Sequence, residues 1–249
     1  MDRPHFHPLE PMLRKLQQWE KLNAADRQAV LDLPHTVERV EAARYIVREG
    51  DRPKHSCLLV SGFAFRQKVV ADGSRSISAI HLRGDMVDLQ NSLLREADHS
   101  VQALNNCTIA LIPREAVRQI AFAFPNVGMA MWYDTLVDAS IFREWLANIG
   151  RRSATAGLAH LICEMGLRFE VAGLGNRQHF ELPMTQEQLA DCTGLTAVHV
   201  NRTLKALEAN GLISRSMRHV SIADWDRLTE VADFQSSYLH VPQASLHAA

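Results

Sequence analysis

Four glycines set the strongest constraint on what this chain can fold into. Gly50, Gly62, Gly73 and Gly84 follow one another at intervals of 12, 11 and 11 residues. Each sits in a turn signal: Glu49-Gly50-Asp51, Ser61-Gly62, Asp72-Gly73 and Gly84-Asp85. Around them lie short runs rich in β-formers, at residues 44–47, 57–61, 63–70, 76–81 and 101–112. That cadence predicts an all-β sandwich, barrel or roll. Asp72-Gly73 between two strand-like runs predicts a tight hairpin.

The flanks read differently. Leu9, Met12, Leu13 and Leu16 recur at helical spacing, and Asn23 with Asp26 forms a capping pattern ahead of Val30. After the β-rich stretch, Pro113 fits a first helical position, with Val117 and Ile120 following. Pro125 opens a long helical segment reaching Gly150. Met129, Trp132, Leu136 and Leu146 lie on one side of it; Val137, Ile141, Trp145 and Ile149 lie on another. A helix apolar around so much of its circumference needs cover on two sides. Its own β-domain supplies one, and an identical helix is the economical candidate for the other, with Val137, Ile141 and Trp145 expected at the seam. Gly150-Arg151-Arg152-Ser153 reads as a boundary. Leu158, Leu161, Ile162 and Met165 mark a further helix ending near Arg168, and residues 172–176 read as a loop. The expected division is a β-domain with flanking helices over 1–124, a dimerisation helix over 125–150 and a C-terminal domain over 151–249.

Residues 182–207 carry the most chemical information. Thr185 is a good helix N-cap, Leu189 anchors a short helix, and Ala190 lets a second helix approach closely. Gly194 suits the left-handed residue of a tight turn, and Thr196 caps the next helix. In that helix Val200, Leu204 and Leu207 face inward by spacing, while Ala197, Val198, Asn201, Arg202 and Lys205 take the other side. An apolar back with a small, amide and basic front is what a helix in a DNA major groove requires. Residues 211–215 and 220–222 read as two strands around Met217-Arg218, which completes a winged helix-turn-helix. Arg202 is the expected direct reader, since a guanidinium takes O6 and N7 of one guanine together. Asn201 reaches an adenine edge, and Ala197 and Val198 suit a thymine methyl. Thr185, His199, Lys205 and Arg218 are expected on phosphates, with Gln186 and Thr196 completing the DNA-facing set.

The whole-chain charge of −1 does not announce nucleic acid. Local charge matters more, because counterion release needs only a basic surface. Between Thr196 and His219, four cations (Arg202, Lys205, Arg215 and Arg218) stand against Glu208, a balance of +3. Cys57, Cys107, Cys163 and Cys192 are too far apart for a zinc ribbon or iron–sulfur run and read as reduced thiols. No stretch is long and apolar enough to span a membrane, and Met1 to His5 lack the order of a signal peptide, so a cytoplasmic location is expected. Histidines such as His5, His7, His35, His55, His81 and His99 are scattered, with none at the i, i+4 spacing of a helical metal site. No GxSxG, P-loop or HExxH is present, and Gly173-Leu174-Gly175-Asn176 lacks the third glycine of a dinucleotide fingerprint. The reading is therefore a DNA-binding protein that is not an enzyme, with no cofactor and no metal.

The order of parts resembles the Crp/Fnr family of bacterial transcription regulators over about residues 35 to 223. The resemblance rests on Gly50-Asp51, Ser61-Gly62, Asp72-Gly73-Ser74-Arg75, Leu82-Arg83-Gly84-Asp85 and the helix-turn-helix running to Asn210-Gly211-Leu212-Ile213. The tail from Asp224-Trp225 through Tyr238-Leu239 is similar to the ending of some members. The resemblance implies an α+β fold: an N-terminal antiparallel β-roll like that of cyclic-nucleotide-binding domains, a long central dimerisation helix and a C-terminal winged helix-turn-helix. It also implies a homodimer on a roughly palindromic operator, working with RNA polymerase.

The departures concern the input. Members that bind a cyclic nucleotide carry a Gly-Glu pair and later an Arg-Ser or Arg-Thr that holds the cyclic phosphate. Here Gly84-Asp85 leads to Asp88-Leu89, and the later position reads His99-Ser100. A cyclic phosphate needs a permanent cation, and His99 beside Asp98 is a weak one. An effector pocket is expected around Gly84, Asp85, Leu89, His99 and Ser100, taking an unknown small molecule rather than cyclic AMP in the usual way. A cyclic-nucleotide-responsive or a haem- or redox-responsive regulator of the same family is the alternative. An oxygen-labile cluster of the Fnr type needs N-terminal cysteines, whereas the first here is Cys57. Many relatives carry Arg-Glu at the positions of Ala197-Val198, so the operator should differ on that side.

Overall fold

The structure is a computed structural model that describes residues 7–241. The reading of Met1 to His5 lies outside the described residues. The chain divides into two compact units, Met1–Lys68 with Ile80–Asp138, and Val69–Ala79 with Ala139–Ala249.

The N-terminal unit begins with α1 (Glu10–Trp19) and α2 (Ala24–Leu31). The capping pattern at Asn23 is realised: its Oδ1 accepts from the Ala25 and Asp26 amides, and Asp26 Oδ2 accepts from the Asn23 amide. Seven strands follow along the chain, with Val69 to Ala79 counted in the C-terminal unit: β1 (Thr36–Val40), β2 (Tyr45–Val47), β3 (His55–Ser61), β4 (Ala64–Val69), β5 (Arg75–His81), β6 (Ser100–Ala103) and β7 (Cys107–Pro113). They form a three-stranded sheet, β1-β7-β3, and a four-stranded sheet, β2-β6-β4-β5, and every pairing with a resolved register is antiparallel.

Strand β3 shows why its run is so continuously apolar. Cys57 and Leu59 point into a cluster with Val47, Ala64, Val101 and Ile109, the inside of the roll. Leu58 and Val60 point the other way, against Leu9, Met12, Leu16, Val117 and Ile120. The alternation of β7 matches, with Cys107 and Ile109 inside and Ala110 and Ile112 under the helices.

Three sequence expectations are corrected here. Residues 101–112 are two strands, β6 and β7, because Asn105 and Asn106 turn the chain between them. Asn105 Oδ1 accepts from the Phe63 amide, and Asn106 Oδ1 from the Ala42 amide. Strand β1 was not anticipated. Pro113 ends β7 with extended ψ 128°, and α3 (Arg114–Ala123) starts one residue later.

Helix α4 spans Pro125–Gly150, as the sequence suggested, and at about 1.5 Å per residue runs roughly 39 Å. Val127, Ala130 and Met131 join the core beneath the N-terminal helices. Val137, Ile141 and Trp145, the expected dimer seam, are buried within the single chain. The most exposed apolar side chains of α4 are Trp132 (62% exposed), Leu136 (53%), Leu146 (53%) and Met129 (50%), with Ile149, Phe142 and Tyr133 exposed to a lesser degree.

In the C-terminal unit, α5 (Ala154–Val171) runs three residues past its expected end and is buried from Gly157 to Leu167. It packs against α6 (Gln186–Thr193), α7 (Ala197–Ala209) and α8 (Trp225–Ala232). A small sheet, β8-β10-β9, joins β8 (His179–Glu181), β9 (Ile213–Ser216) and β10 (His219–Ile222). Strand β8 was missed, since three residues between loops leave no periodic signal.

Candidate nucleic-acid interface

The helix-turn-helix forms for the reasons its sequence gives. Thr185 Oγ1 accepts from the Gln188 amide and Gln188 Oε1 accepts from the Thr185 amide, a reciprocal capping box. Gly194 closes α6 in the left-handed region at φ +66°, a conformation that calls for glycine, and a Cβ there would sit 3.1 Å from Ile149 Cγ2, which would have to give way slightly. Thr196 then caps α7, accepting from the His199 amide. Arg75 fixes the outer side of α6 by pairing with Asp191 at 2.6 Å.

Helix α7 divides as expected. Val200, Leu204 and Leu207 are buried, joined by Thr203. On the other side Arg202 and Lys205 are exposed, Val198 is 81% exposed, and Ala197, His199 and Asn201 are half-buried. Thr185 and Thr196 are exposed and Gln186 half-buried. In the wing, β9 and β10 pair His219 with Ser216, which leaves Met217-Arg218 as the tip. Met217 is fully exposed with φ +54°, and Arg218 is exposed beside it.

The electrostatics refine the sequence tally. Arg215 binds Glu208 with two parallel hydrogen bonds of 3.0 Å, so the single anion and one of the four cations cancel each other. Arg202, Lys205 and Arg218 have no ion pair among the described residues. Sequence spacing alone did not reveal the Glu208–Arg215 pair, because α7 and β9 meet only in three dimensions.

The five expected effector residues are already engaged. Gly84 has φ +95°, and a Cβ there would lie 2.8 Å from the Pro11 carbonyl oxygen. Asp85 accepts from Lys15 at 2.7 Å and from the Leu82 amide at 2.9 Å. Leu89 packs, half-buried, against the core beneath the N-terminal helices. His99 Nδ1 lies 2.6 Å from Asp98 and its Nε2 lies 3.1 Å from Gln90. Ser100 accepts from the Glu49 amide. Burial and the Arg66 charge push the His99 imidazole below its ordinary range, against the opposing pull of Asp98. It is therefore a neutral ring at pH 7.

One permanent cation near this face is a residue the sequence reading passed over. Arg66 on β4 donates to Asp138 of α4 at 2.7 Å. Its signal was the period-two alternation with Ala64. His81 is buried 3.7 Å from Asp85, and burial holds it below its ordinary range despite that carboxylate.

All four cysteines are buried free thiols. Burial pushes Cys163 up to about 12 and Cys57 and Cys192 well above the ordinary range, so they stay protonated at neutral pH.

Residues 37–123 match the family described as the cyclic nucleotide-binding domain, and residues 158–231 match the Crp-like helix-turn-helix domain. The chain belongs to the Crp/Fnr family of transcriptional regulators. It is 28% identical to the transcriptional activator protein FnrL of Cereibacter sphaeroides, over 77% of this chain and 78% of that protein. It is 27% identical to the nitrogen fixation regulation protein FixK of Azorhizobium caulinodans, over 67% of each. Among solved structures, FixK2 from Bradyrhizobium japonicum shares the fold with a TM-score of 0.73 at 24% identity, covering 80% of this chain and 98% of that one. The curated relatives are regulators, not enzymes. Among the described residues, no helix of this Crp/Fnr regulator is long and apolar enough to cross a membrane.

Proposed function

We propose that this Crp/Fnr regulator is a homodimer that reads a roughly palindromic operator with α7 and the wing. The observation that carries this reading is the outward face of α7. Arg202 and Lys205 there, and Arg218 on the wing, have no ion pair among the described residues, while the neighbouring anion is neutralised. Arg202 takes a guanine edge and Asn201 an adenine edge, with Ala197 and Val198 against a thymine methyl. Thr185, Gln186, Thr196, His199, Lys205 and Arg218 hold the sugar-phosphate backbone.

Dimerisation runs along the exposed α4 side chains Met129, Trp132, Leu136 and Leu146, which are spread over more than four turns. The protein acts in the bacterial cytoplasm together with RNA polymerase. Its sensor takes a small molecule other than a cyclic nucleotide held in the usual way, because the residue at the cyclic-phosphate position is a neutral imidazole tied to Asp98.

The test starts with selection of bound fragments from genomic DNA by the purified protein, which should return a palindrome. Arg202→Ala should then cost about 1–3 kcal/mol on that site and relax one position per half-site. Equal loss on random duplex would remove the direct-readout role. Thermal shifts across a metabolite panel identify the input.

A further inference from the structure

Helix α5 is buried along most of its length, yet it carries two fully buried polar side chains, His160 and Glu164. Both sit where the end of α4, α5 and the C-terminal segment meet. Glu164 receives the Trp145 indole N–H on both oxygens, at 3.1 and 3.0 Å, an Arg168 N–H at 3.2 Å and the Tyr238 hydroxyl at 2.8 Å. Trp145 belongs to α4 and Tyr238 to the 3-10 turn Ser236–Leu239. A second chain of contacts runs parallel. Arg152, in the turn between α4 and α5, pairs with Glu144 at 2.7 Å and Asp233 at 3.4 Å and donates to Asn148. The Asn148 amide lies 3.1 Å from His160 Nδ1. The His160 ring stacks on Tyr238 at 5.7 Å and meets Phe234 edge-on at 5.1 Å.

Buried charge of this kind is poor at adding stability, since an apolar replacement holds helices together as well or better. What it supplies is geometry. Apolar faces slide over one another at small cost, whereas a carboxylate with donors from three elements has one good arrangement.

We infer that residues 225–240 form a strap that fixes the angle between α4 and α5, with Glu164 and Tyr238 as positioning residues for the recognition helix. Helix α5 carries α6 and α7, so this angle sets how far apart the two recognition helices stand in a dimer. The strap thereby selects the spacing between half-sites. The inference rests on the dimeric operator reading.

The experiment measures full-length protein on a series of operators whose half-sites are moved apart or together by one or two base pairs, about 3.4 Å per step. Wild type should prefer one spacing at least tenfold over its neighbours. Tyr238→Phe keeps the ring against His160 and removes the hydroxyl; it should flatten that preference to within about threefold, while single-base changes inside a half-site keep their wild-type effects. Asp233→Asn, at an exposed position, should flatten it partially and covers the case in which Tyr238→Phe fails to fold. An unchanged spacing profile in folded variants overturns the inference, as does a uniform loss of affinity at every spacing. Absence of sequence-specific binding by wild type instead overturns the operator reading itself.

Discussion

Salt dependence gives the sharpest test of the interface, because the structure separates cations that face outward freely from one that does not. Arg202, Lys205 and Arg218 lack ion pairs among the described residues, whereas Arg215 is held by Glu208. Arg202 is assigned to a base edge, so Lys205 and Arg218 give a dimer four cations for phosphate. At about 0.9 per neutralised phosphate, the slope of log K against log salt should be about −3.6, a loss of roughly 10² in affinity between about 50 and 200 mM salt. Lys205→Ala removes two of the four and should make the slope shallower by about 1.8. Arg215→Ala removes the same formal charge and should leave the slope within error of wild type. Fluorescence anisotropy on one operator duplex, titrated at four or five salt concentrations, reads all three proteins. If Arg215→Ala shallows the slope as much as Lys205→Ala does, the charge partition derived from the Glu208 pair is wrong.

Three further outcomes follow from the same geometry. Trp132→Glu places a charge in the proposed seam and should convert dimer to monomer in sedimentation velocity without loss of helical signal, whereas a dimer that survives would move the seam elsewhere. His160→Gln should flatten the acid limb of stability. Burial, then the Arg152 charge, lowers the folded imidazole to about 3, so below pH 6.5 the unfolded chain takes up a proton that the folded chain refuses. Stability from this group is full above 6.5 and falls as pH drops towards 3, and urea midpoints across that window show whether the variant loses the slope. Gly84→Ala puts a side chain at φ +95° and a Cβ 2.8 Å from the Pro11 carbonyl oxygen. Strain and crowding together should cost about 2–5 kcal/mol, read as a lower denaturant midpoint; an unchanged midpoint would mean that α1 yields freely.

Much of the fold was legible because it rests on local chemistry. The turns at Asp72-Gly73 and Gly194, the caps at Asn23, Thr185 and Thr196, and the inward set Val200, Leu204 and Leu207 each follow from residues within a few positions of one another. What stayed hidden depends on partners distant in sequence. Strand β1 exists through its pairing with β7, some seventy residues on. The Glu208–Arg215 pair, the Arg66–Asp138 pair and the Lys15 bridge to Asp85 and Asp134 all join separate elements. Arg66 was legible as an inward-facing residue of β4, but its anionic partner was not.

Helix α4 shows where periodicity stops being sufficient. Its two apolar stripes are equally visible in the sequence, and both contain tryptophan, so hydrophobicity alone cannot rank them. Rank comes from the polar ends of the aromatic rings. Trp145 has an indole N–H that must be satisfied if the ring is buried, and Glu164, nearly three turns into the next helix, satisfies it on both oxygens. A buried carboxylate in turn requires such donors. The pair is therefore self-consistent only inside one protomer, which assigns the stripe of Val137, Ile141 and Trp145 to the chain's own interior. Trp132 has no such hydrogen bond among the described residues and remains 62% exposed. A ring of that size left outside is a feature a second copy would remove, and it moves the proposed seam about half a turn around the helix from where the sequence alone placed it.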